Sequence, residues 1–236
     1  MSPERRRLLF LQNAPGRSSP DRLDERFADW GLEVDLRWAY GLDFPTSLER
    51  YAGIYLSGSP HGAYEPIPFI EREHALIREA AAGRIPMLGM CFGSQILASA
   101  LCGKEQVFRR ACCEVGIKTL TVDHAAADDP VCAGLGRDVR MFVWHNDEVR
   151  ADHPTMVVLA ASDLCPNQIW RHRDAPIWGI QGHAELTRQT AEAWFARHRA
   201  RIESDGAPLE TLVPDALDDA KTSGMLERFA GLVVER

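Results

Sequence analysis

The sequence predicts an α/β protein: a doubly wound, largely parallel sheet flanked by helices, with extra antiparallel strands toward the C-terminus. Three observations carry this reading. Short apolar runs alternate with longer segments of helical periodicity through the N-terminal half, as βαβ units require. Strand-like stretches joined by short connections follow from Cys113 onward. A Gly-x-Cys-x-Gly turn joins one of the apolar runs to a helical segment.

Leu8–Gln12 reads as the first strand. Asp21–Trp30 places Leu23, Phe27 and Trp30 at helical spacing, and Gly31 stands just beyond as a stop. Leu32–Leu36 and Ile54–Ser57 are the next strands. Phe69–Ala82 is a second helix, with Ile70, Leu76 and Ile77 available for burial and Gly83 and Pro86 closing it. Pro86–Cys91 is a short apolar strand that feeds a helix over Gly93–Leu101, where Ile96, Leu97, Ala100 and Leu101 share a face. Val115–Val122, Arg140–Val143, Met156–Ala160, Gln168–Arg171 and Ile177–Gln181 are the later strands. Thr187–Arg201 is a helix with Ala191, Trp194 and Phe195 on one side and arginines, Arg201 among them, on the other, ended by Gly206 and Pro208. No linker interrupts the chain, so residues 1–236 are expected to form one unit, with 187–236 its helical C-terminal part.

Composition narrows the function classes. Of 236 residues, 27 are Lys or Arg and 34 are Asp or Glu, a formal charge of −7, and 45% are apolar. That apolar share supports a core and excludes disorder. The acidic balance, with no basic run beyond Arg5-Arg6-Arg7, argues against nucleic acid and anionic lipid as partners. The longest apolar run, Met156–Ala161, is far short of the roughly 20 residues of a membrane span. Leu8–Leu11 after the arginines is too short for a signal h-region of about 7–15 residues. Six scattered cysteines without a Cys-x-x-Cys suggest neither a disulfide framework nor zinc, and a reduced, cytoplasmic setting is expected. The histidines apart from His145 and His183, including His198, have no ligand-like spacing and are assigned solvated or structural roles.

The chemistry concentrates at Gly89-Met90-Cys91-Phe92-Gly93. A tight strand-to-helix turn lifts a central nucleophile above the sheet, and the helix N-terminus behind it favours the thiolate and offers the Phe92 N–H to an oxyanion. A thiol nucleophile needs a base, and the base needs an orienting group. Among the eight histidines only His183 directly follows a strong apolar strand, with a carboxylate two residues on at Glu185. The small-residue turn Ser57-Gly58-Ser59-Pro60, at the end of another strand, can present backbone N–H groups to developing negative charge.

Together, Gly89-Met90-Cys91-Phe92-Gly93-Ser94-Gln95, the upstream Ser57-Gly58-Ser59-Pro60 and the downstream Gly179-Ile180-Gln181-Gly182-His183-Ala184-Glu185 resemble the class I, triad-type glutamine amidotransferases, in that family's order and spacing. The resemblance covers roughly Leu8–Leu186 and implies a flavodoxin-like sheet. It implies a Cys91–His183–Glu185 triad that attacks the γ-carboxamide of glutamine and forms a γ-glutamyl thioester. It further implies that Gly58 and Phe92 supply the oxyanion N–H groups, and that Gln95 helps hold the glutamyl moiety. Ser59 falls in the same turn, and Met141–Val149, with Trp144 and His145, looks like the strand and loop lining the glutamyl pocket. No metal or organic cofactor is required by this chemistry.

Ala184 stands where many members carry proline, and Trp144 where a small polar residue is common, so the pocket can differ from the usual one. After the family-like region only residues 187–236 remain, and any ammonia-consuming synthetase then lies on another chain. Three functional readings stay open. One is a stand-alone hydrolase of glutamine or a γ-glutamyl compound, a second is a glutaminase subunit serving a separate synthetase, and a third is a non-catalytic module that binds a small molecule or a partner.

Overall fold

A computed structural model describes residues 5–236; the first four residues of the span expected to form one unit lie outside that range. The elements are β1 (Arg7–Leu11), α1 (Leu23–Asp29), β2 (Glu33–Arg37), β3 (Gly53–Leu56), α2 (Pro68–Ala82), β4 (Met87–Met90) and α3 (Phe92–Cys102). They are followed by β5 (Val107–Val122), β6 (Asp138–Val149), β7 (Met156–Ala161), β8 (Ile169–His172), β9 (Ile177–Ile180), α4 (Arg188–Ser204) and α5 (Asp219–Val234). One nine-stranded sheet carries them in the order β2-β1-β3-β4-β9-β8-β7-β5-β6. The β2 to β9 part is parallel. From β9 to β6 every pairing is antiparallel.

Alternation along β1 shows how the sheet is covered. Leu8 and Phe10 join a core with Leu23 and Phe27 of α1 and Met225, Phe229 and Val233 of α5. Leu9 and Leu11 face the other way, into a core with Phe69, Ile70 and Ile77 of α2 and Ile96 and Leu97 of α3. A strand buried on both faces reads as an unbroken apolar run, which is why Leu8–Leu11 is uniformly apolar. A third cluster holds α4 against the β5–β6 hairpin through Phe142, Leu186, Ala191, Phe195 and Ile202.

The antiparallel hairpin is where the sequence reading fell short. β5 begins at Val107 and β6 runs on to Val149, so the expected Val115–Val122 and Arg140–Val143 captured only parts of them. The missed portions carry Arg109, Arg110, Glu114, Asp147 and Glu148, whose charges conceal a strand pattern. In the fold those charges are paired, Arg110 bonding Glu148 and Glu114 bonding His145. A register break between Arg109 and Glu114 further obscures the alternation. The first helix is also shorter than Asp21–Trp30, because Asp21 and Arg22 take positive φ values and delay its start. All six cysteines are free, with Cys112 exposed and Cys102 buried on α3.

Candidate active site

The parallel strands β3, β4 and β9 end on one edge of the sheet, where sites of open α/β folds collect. Gly58 follows β3, Cys91 follows β4 and His183 follows β9. Cys91 caps α3 with φ 53° and ψ −109°, a conformation that L-residues rarely adopt. Its N–H donates to the Ile180 carbonyl at 2.7 Å, locking the turn to the neighbouring strand. The glycines on either side answer to packing. A Cβ on Gly89 would stand 2.3 Å from the Gly93 carbonyl, and one on Gly93 would stand 2.1 Å from the Leu56 carbonyl oxygen. The motif is therefore the set of residues that lets α3 rest directly on β3 and β4.

His183 is pinned to β6 by its N–H donating to the Phe142 carbonyl at 2.8 Å. Its Nδ1 meets Glu185 Oε1 at 2.7 Å. Burial disfavours the charged ring, but the Glu185 carboxylate and the Cys91 sulfur beside it outweigh that cost and hold the imidazole pKa well above its usual value. Arg26 Nη1 donates to the Glu185 carbonyl at 2.6 Å, fixing the backbone of that residue next to Ala184. A Cβ on Gly58 would lie 3.7 Å from Cys91 Cβ and 4.0 Å from His183 Cε1, so the turn after β3 closes over the pair. The structure thus brings Cys91, His183, Glu185, Gly58 and the first turn of α3, with Phe92, to one place.

These groups open into a cavity of about 560 Å³, a size usual for small-molecule sites. Gly58, Ser59, Cys91, Gln95, Trp144, His145 and His183 all contribute to its lining. Their polar atoms differ in availability. Gln95 Nε2 donates to the Asp147 carbonyl at 3.0 Å and to Gln181 Oε1 at 3.1 Å, so its amide donors are used within the protein. His145 Nδ1 meets the Asp147 carbonyl at 2.9 Å and Nε2 meets Glu114 Oε2 at 3.0 Å, which leaves no ring nitrogen for a substrate. Glu114, His145 and Cys165 place their ligand-type atoms within 4.8 Å of one another, but Glu114 is engaged by His145, Ser162 and Gln168 as a buried polar network behind the cavity. Trp144 is a wall, held by its Nε1 donating to Asp205 Oδ2 at 2.8 Å.

Sequence reasoning missed the rest of that wall. Trp194, His198 and Arg201 of α4 line the cavity, where the sequence alone suggests a solvated or structural role for His198 and the polar face of a helix for Arg201. The signal was present in their spacing, since residues four and three apart share a helix face. The Trp194 and His198 rings lie 4.2 Å apart, and Trp144 meets Trp194 edge-on at 5.7 Å. Gln181, part of the downstream motif, also has a role that the sequence does not reveal. Its Nε2 points at Cys91 Sγ, 3.8 Å away, so it links Gln95 to the sulfur.

The family model for glutamine amidotransferase class I matches residues 16–200 of this sequence. The chain belongs to that family. Among curated relatives of this class I amidotransferase, a subunit of the glutamine-hydrolysing GMP synthase of Pyrococcus furiosus is 32% identical over 118 residues, which cover 50% of this chain and 60% of its own. The corresponding subunit of Halobacterium salinarum is 31% identical over 144 residues, covering 61% of this chain and 72% of its own. The chain thus spans less than two thirds of the length of the first of these relatives. A glutamine amidotransferase from Thermotoga maritima shares the fold with a TM-score of 0.83 at 23% identity, over 99% of this chain and 100% of that one. Another from Methylobacillus flagellatus does so with a TM-score of 0.78 at 19% identity, over 98% and 94% of the two chains. Among the described residues, no helix is long and apolar enough to cross a membrane.

One buried acid lies beneath this site. Glu73 of α2 is fully buried, and burial pushes its carboxyl up to about 8 even though Asn13 donates to it. The folded state then holds a proton there that the unfolded chain releases above roughly pH 4.5, so folding stability falls as pH rises from that value toward 8. Between pH 5 and pH 7 this group alone costs about 2 kcal/mol of stability. Denaturant titrations of the Glu73→Gln variant are expected to show that portion of the pH dependence removed, and an unchanged slope would mean the group titrates normally.

Proposed function

We propose that the protein is a cysteine-dependent amidohydrolase acting on the γ-carboxamide of glutamine or on a γ-glutamyl compound. The observation that carries this reading is the convergence of Cys91, the His183–Glu185 pair and the Gly58 turn on one cavity wall. His183 takes the thiol proton, and Cys91 Sγ bonds to the substrate carbonyl carbon. The oxygen becomes an oxyanion facing the N–H groups of Gly58 and Phe92. On collapse the C–N bond breaks, and His183 passes its proton to the leaving nitrogen, giving ammonia or an amine and a γ-glutamyl thioester. Water, deprotonated by the same ring, then releases glutamate and the thiol. The raised pKa of His183 suits the first step, because it favours moving the thiol proton onto the ring and leaving Cys91 as the thiolate.

The stand-alone reaction is favoured by the size of the cavity and by its wall of Trp144, Trp194 and His198, which leaves room for more than a glutamine side chain. A second reading is favoured by the relatives, which bear the name of a GMP synthase component: the ammonia released here would be consumed by a synthetase on another chain.

The test is glutamate release by the purified protein from glutamine, glutathione and a set of γ-glutamyl dipeptides. Cleavage of the peptides in preference to glutamine supports the stand-alone hydrolase. Slow turnover confined to glutamine supports the glutaminase component of a larger synthetase. No cleavage, together with no labelling of Cys91 by a glutamine-like electrophile, overturns both and leaves a binding module. In the same assay Glu185→Gln should slow turnover by about 10²–10⁴-fold, since the amide still bonds the ring but no longer balances its charge. An unchanged rate would reassign Glu185 to structure.

A further inference from the structure

Behind the Gly58 turn lies a buried polar chain that the reaction scheme does not use. Asn13, two residues beyond β1, donates from its backbone N–H to Ser57 Oγ at 2.9 Å, and Ser57 Oγ donates to Gln12 Oε1 at 2.8 Å. The Asn13 side-chain Nδ2 donates to the Ser57 carbonyl at 3.2 Å and to Glu73 Oε1 at 3.0 Å. Asn13, Ser57 and Glu73 are all essentially inaccessible to solvent. The orientation of the Asn13 amide follows from its partners, because a carbonyl oxygen can only accept.

The Ser57 carbonyl and the Gly58 N–H belong to one peptide unit. In a trans peptide they point in opposite directions. A donor that holds the carbonyl on the Asn13 side therefore turns the N–H away from Asn13, in a turn where a Cβ on Gly58 would lie 3.7 Å from Cys91 Cβ and 4.0 Å from His183 Cε1. Rotating that peptide would strip the carbonyl of its bond and carry the N–H away from the reacting atoms. We propose that Asn13, anchored by Glu73, is a positioning residue that locks the Ser57–Gly58 peptide in the orientation needed to stabilise the oxyanion. This assignment rests on the amidohydrolase reading above. A buried, packed brace of this kind fixes the donor before substrate arrives, so no reorganisation is required in the transition state. Glu73 serves as an acceptor, and a glutamine in its place keeps an acceptor oxygen.

The experiment compares Asn13→Ala, Glu73→Leu and Glu73→Gln in the full chain. Each is measured for hydrolysis of the best wild-type substrate, for alkylation of Cys91 by iodoacetamide and for thermal unfolding. Alkylation is a direct displacement by sulfur that forms no oxyanion, so it reports the thiol and the fold alone. Asn13→Ala and Glu73→Leu are expected to lower kcat by about 10²–10³-fold, as loss of one oxyanion donor does, with KM and the alkylation rate close to wild type. Glu73→Gln is expected to restore most of the rate. Wild-type kcat in a folded Asn13→Ala variant would overturn the proposal, as would equal losses in hydrolysis and alkylation. If the wild type cleaves no γ-glutamyl compound, the functional reading fails separately. Crystal structures of wild type and Asn13→Ala then decide the brace: a rotated Ser57–Gly58 peptide in the variant supports it, and the same orientation in both overturns it.

Discussion

Cys91→Ala is expected to reduce glutamate release by a factor on the order of 10⁴ or more, the scale on which removing a catalytic nucleophile acts. Binding of substrate and the folded structure should survive, because alanine fills the same backbone position and removes one sulfur atom from the cavity wall. A companion variant separates chemistry from strain. Cys91 sits at φ 53° and ψ −109°, where glycine rests without a Cβ penalty. Cys91→Gly should therefore be as inactive as Cys91→Ala yet more stable by about 1 kcal/mol or more. Thermal unfolding of the two variants side by side checks this, and equal stability would mean the turn is unstrained. Retained hydrolysis in either would remove the thiol from the mechanism. The direction of the expected trade, activity lost and stability gained, is what a nucleophile held in an unfavourable conformation requires.

Much of this site could be read from the chain because its parts follow strands. Cys91, His183 and the Gly58 turn each come immediately after an apolar run, and parallel strands deliver their C-terminal ends to one edge. The order of such runs therefore suffices to gather the three. Local sequence patterns also carry the helices, since Leu23 and Phe27, or Ile96 and Leu97, occur at the helical period and are buried in the two main cores. The residues that escaped depend on contacts distant in the chain. Asn13 meets Glu73 across 60 positions, and nothing beside either residue signals the other. Trp144 meets Asp205 across 61 positions, and only the packing of α4 against the β5–β6 hairpin makes them neighbours. A charged strand such as Arg109–Glu114 looks like a loop until its partners are known. Hydrophobic periodicity reports which face is buried, and it is silent on charges that are buried in pairs.

The Gly93→Ala substitution should destabilise the fold by about 3 kcal/mol or more, at or beyond the top of the usual overpacking range. The added methyl would stand 2.1 Å from the Leu56 carbonyl oxygen and 2.8 Å from the Leu56 carbonyl carbon, both backbone atoms of β3 that have no rotamer to change. Relief requires α3 to lift from the sheet or β3 to retreat. Either movement displaces Cys91, which caps that helix, or Ser57 and Gly58, which follow that strand. Activity should thus fall together with stability, and the unfolding midpoint should drop by roughly 6–12 °C on the scale expected for a chain of this size. Gly231→Ala is the matched control. That position lies within α5, and a Cβ there meets nothing within 4 Å. Alanine is the better helix former, so this second substitution should stabilise by about 0.5–1 kcal/mol and leave turnover unchanged. Opposite signs from one chemical change would show that the glycine of the nucleophile turn is held by the close approach of β3 to α3. Equal, small effects at the two positions would show instead that the β3–α3 contact can yield, and the rigidity of the turn would need another source.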